Sequence, residues 1–198
     1  MKTYITNHKQ AVILLHEIYG VNSFMEDQYQ RWLDAGYDVY CPNLLHRAPF
    51  AYEESERAYS FFVNQVGFEV YLDVIQLLKS LKEKYADVFI VGFSVGATVA
   101  WRCSENELCG GVVACYGSRI RDYIDLTPAC PTLLLFAKED SFDVKPTIKQ
   151  LQHKEQVEVY DFDARHGFLD PNNQHYDAEQ AEKVQNKITK FMSQFTHL

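Results

Sequence analysis

Apolar residues in this chain fall in short unbroken runs, separated by longer stretches where they recur at helical spacing. Ala11-Val12-Ile13-Leu14-Leu15 has no polar interruption and reads as a strand buried on both faces. Phe24, Trp32 and Leu33 then fit one face of a helix over about 23–35, and Gly36 stands where a helix-ending glycine belongs. Tyr37 to Cys41 is the next strand, stopped by Pro42. A loop containing Pro49 leads to one long periodic segment, about 54–84. The runs Val88–Val91, Gly111–Cys115, Thr132–Phe136 and Val157–Tyr160 are further strands. Helices are expected over Val95–Cys103, about 146–153 and about 173–195. Apolar strands alternating with helices imply a mostly parallel central sheet covered by helices on both faces. No linker, repeat or low-complexity tract interrupts the pattern, so residues 1–198 read as a single α/β domain.

Composition narrows the class. A 198-residue chain with 47% hydrophobic and 23% charged residues is an ordinary globular domain, and thirteen Tyr with thirteen Phe promise a large apolar interior. A net charge of −8 without any Lys/Arg cluster argues against nucleic-acid partners and anionic membranes. No apolar run is long enough to span a bilayer, and the polar N-terminus lacks a signal-peptide pattern. The five scattered cysteines, Cys41, Cys103, Cys109, Cys115 and Cys130, lack metal-ligand spacing and favour reduced, buried thiols in the cytoplasm. Nothing in the sequence demands a metal or organic cofactor. The aromatic content is compatible with a homodimer, but no residue locates an interface.

Candidate chemistry sits where strands end, the face on which open parallel sheets bind ligands. Gly92-Phe93-Ser94-Val95-Gly96 follows a buried strand and opens a helix, the strand–turn–helix context of a nucleophile elbow. A serine hydroxyl needs a neighbouring base. Of seven histidines, His166 stands in the loop before the last helix, after Ser94 and after an acid in the chain. Asp140, just beyond a buried strand, is favoured as that acid over its neighbours Glu139 and Asp143. The order Ser94, Asp140, His166 is that of the α/β-hydrolase fold. The backbone N–H groups of Ile18 and Val95 are the expected oxyanion donors. Glu17, beside the nucleophile, reads equally as functional or as a structural strand-end carboxylate. Tyr19, His46, Arg47, Tyr116, Phe142 and Phe168 lie at or near strand ends and are candidate substrate neighbours, and residues 45–55 are a candidate lid.

These residues resemble the dienelactone hydrolases. The resemblance rests on the segment His16–Met25, on Trp32 through Gly36-Tyr37 to Cys41-Pro42-Asn43-Leu44, and on Gly92–Gly96. Cys115-Tyr116-Gly117, Asp140 and His166-Gly167-Phe168 complete it, so that it runs from Ala11 to nearly the end of the chain. It implies an α/β-hydrolase fold and the Ser94-Asp140-His166 triad. Two departures bear on the substrate. The best-known members carry cysteine where this chain has Ser94, and they hold the substrate carboxylate with arginines where this chain has Ser55, with Arg57 nearby, and Asp170. An acidic residue at a carboxylate clamp repels the ligand. The leading antiparallel strands of fuller members are expected to be trimmed.

The reading is a serine hydrolase that cleaves a small-molecule carboxylic ester or lactone through an acyl-enzyme. A thioesterase, a peptidase-like acyl hydrolase or a non-catalytic binding protein on the same fold are the alternatives.

Overall fold

The computed structural model describes residues 2–4 and 8–195. Its sheet has seven strands: β1 (Lys2–Tyr4), β2 (Gln10–Leu15), β3 (Asp38–Cys41), β4 (Asp87–Phe93), β5 (Gly111–Cys115), β6 (Thr132–Glu139) and β7 (Val157–Arg165). They lie in the order β1-β3-β2-β4-β5-β6-β7, all parallel except β1, which pairs antiparallel with β3. One three-residue leading strand is therefore retained at the edge.

The unbroken apolar runs are explained by burial on both faces. Along β2, Ala11, Ile13 and Leu15 join one apolar cluster, while Val12 and Leu14 join the other. In β4, Val88 and Ile90 face the first and Phe89, Val91 and Phe93 the second. Helices α1 (Ser23–Asp34) and α6 (Ala178–Met192) cover the second face. The first lies under α2 (Ser55–Phe61), α3 (Tyr71–Lys82), α4 (Val95–Cys103) and α5 (Val144–Leu151). Full burial of each such side chain contributes roughly 1.5–3 kcal/mol before chain entropy is set against it.

The long periodic segment is not one helix. It breaks after a π-helical turn at Phe62–Val66, where Gly67 takes a φ of 70°. At the far side, β6 and β7 outlast the other strands, and their pairing runs through a bulge to Glu139 opposite Arg165. This register decides the position of the next residue on each strand. Those residues are Asp140 and His166.

Candidate active site

Six parallel strands end on one side of the sheet, and each releases a segment that matters. Ser94 follows β4 with φ 53° and ψ −115°, a backbone that L-residues adopt only when the surroundings impose it. Its N–H donates to the Cys115 carbonyl at 2.9 Å, and its own carbonyl accepts from Ala97 and Thr98 in the first turn of α4. The flanking glycines have a steric cause. A Cβ at Gly92 would lie 2.1 Å from the Gly96 carbonyl oxygen, and one at Gly96 would lie 2.4 Å from that of Leu15.

Ser94 Oγ lies 2.9 Å from His166 Nε2, and His166 Nδ1 lies 2.7 Å from Asp140 Oδ2. Asp140 Oδ1 also accepts from the Ser141 N–H and hydroxyl. Burial raises the Asp140 carboxyl, but His166 and the Ser141 donors outweigh it and hold the group below its ordinary range. For His166, burial opposes the charged ring, yet the hydrogen bond and charge of Asp140, joined by the charge of Glu17, raise its pKa overall. The acid named from the sequence thus meets the histidine. Glu139 instead pairs with Arg165 at 2.8 Å, and Asp143 caps α5 through the Lys145 N–H.

Glu17 is buried behind the nucleophile. Desolvation lifts its carboxyl to about 7, while the Tyr116 hydroxyl, which donates to Glu17 Oε1 at 2.7 Å, and the charge of His166 pull it partly back. His16, which the sequence does not single out, is fully buried. It accepts the Leu44 N–H on Nε2 at 2.9 Å, so Nδ1 carries the proton that meets the Glu17 carbonyl at 2.6 Å. Burial lowers its pKa to about 4. A neutral imidazole therefore fastens the turn carrying Ile18 to the loop after β3.

Two clefts meet at this point. The larger, about 830 Å³, is walled by Ile18, Ser94, Val95, Asp140 and His166, with Tyr59 of α2 and Arg119, Arg121 and Arg165 further out. The second, about 650 Å³, shares Ile18, Ser55, His166 and His175 with the first and is walled beyond them by Tyr19 and Tyr52. Several expected neighbours stand elsewhere. Phe168 is fully buried against Tyr116 and Phe162, and Tyr116 lies behind Glu17. Arg47 lies over the Phe50 ring at 3.6 Å, and Phe142 sits beneath Arg121. None of these four lines either cleft, because apolar packing or loop bracing claims each side chain, and exposed His46 lines neither. Asp170 is fully buried and accepts from the Tyr52 hydroxyl and the Asn172 N–H, so it meets no ligand directly. The segment expected as a lid is tied down: the Phe50 N–H donates to the Tyr19 carbonyl, and Tyr52 holds Asp170.

The sequence matches the profile described as the dienelactone hydrolase family over residues 1–196. The chain belongs to that family. The Bacillus subtilis (strain 168) protein YczH, itself uncharacterised, is 43% identical over 173 residues, 85% of each chain. A carboxymethylenebutenolidase of Pseudomonas putida is 24% identical over 149 residues, covering 69% of this family member and 63% of that enzyme. Among solved structures, a Klebsiella pneumoniae protein provisionally assigned as a dienelactone hydrolase superposes with a TM-score of 0.81 at 20% identity, over 94% and 87% of the two chains. The Pyrococcus furiosus esterase Pf2001 gives 0.69 at 19% identity, over 97% and 85%. These likenesses establish the α/β-hydrolase fold. Among the described residues of this dienelactone hydrolase family member, no single helix is long and apolar enough to cross a membrane.

Proposed function

We propose that this family member is a serine hydrolase cleaving a carboxylic ester or lactone of a small molecule through Ser94, His166 and Asp140. The observation that carries the reading is the unbroken hydrogen-bonded chain from Ser94 Oγ through His166 to Asp140 at the wall of a cleft. His166 takes the Ser94 proton as Oγ attacks the carbonyl carbon, and Asp140 stabilises the imidazolium. The N–H groups of Ile18 and Val95, both at the cleft wall, receive the oxyanion. His166 then protonates the leaving oxygen, and water repeats the sequence to free the acid. Glu17, poised near neutrality, adds negative charge behind the imidazolium when ionised. Five buried cysteines, none in a disulfide, support a reducing cytoplasmic setting.

The test is hydrolysis of p-nitrophenyl esters of increasing acyl length by the wild type and by Ser94→Ala. The expected outcome is turnover in the wild type that falls by at least about 10³-fold in the variant. Equal rates in both proteins, or none in the folded wild type, would overturn the assignment.

A further inference from the structure

The two clefts differ in what they offer, and the difference assigns the two halves of a substrate. Acyl group and departing oxygen share the carbon that Ser94 attacks, but only the acyl group stays bonded to Ser94 Oγ once the alcohol has left. The acyl group therefore belongs in the cleft that Ser94 and Val95 line. The departing oxygen takes its proton from His166 and carries the rest of the alcohol away from Ser94. The second cleft fits that path, since it contains His166 and Ile18 and neither Ser94 nor Val95.

Its lining is polar, with one exposed carboxylate and no Lys or Arg, and rich in two-way hydrogen-bonding groups. Asn172, Asn173 and Gln174 form one wall, and the rings of Tyr19 and Tyr52, 4.7 Å apart, form another. Carboxamides both donate and accept, as an alcohol does. The exposed carboxylate of Glu53 is the one lining group charged regardless of histidine protonation, and no Lys or Arg lines this cleft. Arg119, Arg121 and Arg165 line the other cleft. His175 stands at the junction. Its Nδ1 lies 3.0 Å from the His166 carbonyl, which can only accept, so Nδ1 is the donor, and the tautomer this selects has Nε2 as an acceptor. The wall is fixed in advance: the His175 N–H donates to Asn173 Oδ1, the Asn173 N–H to the Asp170 carbonyl, and the Asp177 N–H to the Phe168 carbonyl.

We infer that the second cleft is a leaving-group subsite for a neutral polyhydroxylated alcohol, a sugar or polyol, with His175 as a specificity-determining residue. The inference rests on the ester-hydrolase reading and adds the alcohol half of the substrate. The bond broken is the acyl C–O bond; the alcohol leaves with the proton from His166, and water later supplies the hydroxyl of the acid.

Four acetyl esters share one acyl-enzyme, so kcat/KM compares them up to the step in which the alcohol departs: 6-O-acetylglucose, propyl acetate, acetylcholine and p-nitrophenyl acetate. We expect kcat/KM for 6-O-acetylglucose to exceed that for propyl acetate by at least about tenfold, as for a site built to pair with hydroxyls. His175→Phe brings that ratio down at least about fivefold, and His175→Gln, which keeps an acceptor, retains more of it. A wild-type ratio at or below one, with p-nitrophenyl acetate still hydrolysed, overturns the subsite and leaves ester hydrolysis standing. A preference for acetylcholine over 6-O-acetylglucose overturns the neutral class. A ratio unmoved in both His175 variants removes that residue from the subsite. If the folded wild type hydrolyses none of the four, the hydrolase reading fails and the subsite with it.

Discussion

Proton affinity decides what Ser94 can do, and the structure sets it from two sides. Burial discourages an imidazolium at His166, while Asp140 at 2.7 Å and Glu17 behind favour it, with a net upward shift from the ordinary 6.5. A base must be neutral to act, so kcat/KM is expected to rise with pH through a midpoint above 6.5. Because Glu17 titrates alongside, that midpoint belongs to the pair. In Asp140→Asn the main raising influence is lost, so the midpoint moves down and kcat falls by about 10²–10⁴-fold. A pH–rate profile whose midpoint does not move in Asp140→Asn would show that Asp140 does not govern the base.

At the level of elements, the crossing of α4 over β2 is a joint with no room for a side chain. A Cβ on Gly96 would meet the carbonyl oxygens of Leu15 and His16 at 2.4 and 2.6 Å, and neither backbone can swing aside as a side chain would. Gly96→Ala is therefore expected to lose at least about 3 kcal/mol in urea unfolding, at the upper end for overpacking; a loss under 1 kcal/mol would mean the joint can open. This joint was legible in the sequence, because the glycine spacing around Ser94 reports the same constraint. Strands β2, β4 and β5 were legible too, since burial on both faces leaves an unbroken apolar run. The break at Gly67 was not, because helical periodicity continues on either side of it. Nor was the full reach of β7, whose outer half, Asp161-Phe162-Asp163-Ala164-Arg165, alternates instead of running apolar. The second cleft stayed hidden for another reason. The last helix, expected over about 173–195, starts only at Ala178, where Asp177 caps it, so Asn172, Asn173 and His175 fall in the loop before it, and the hydrogen bonds of that loop bring them round to His166. Phe142, Phe168 and Arg47 were drawn into the site by proximity along the chain, and packing places them outside it.

For the whole molecule, the buried Glu17 carboxyl ties stability to pH. Its value rises from an ordinary 4.5 to about 7 on folding, so between those limits the folded chain holds more protons than the unfolded one. Stability contributed by this group is full below 4.5 and is lost as pH rises through 7. Glu17→Gln keeps an acceptor for Tyr116 and has no proton to lose. Its unfolding free energy relative to wild type is expected to increase between pH 4.5 and 8 by up to about 3 kcal/mol; a difference constant with pH would contradict the linkage. The thiols carry a different consequence. All five cysteines are buried, and burial pushes the Cys103 and Cys115 thiols well above their ordinary range. Alkylating reagents attack thiolates they can reach. In this chain, labelling must wait until the structure opens around each sulfur. Cys103, Cys109 and Cys130 thus serve as clocks for breathing at the end of the sheet away from Ser94, and Cys41 and Cys115 for breathing near it.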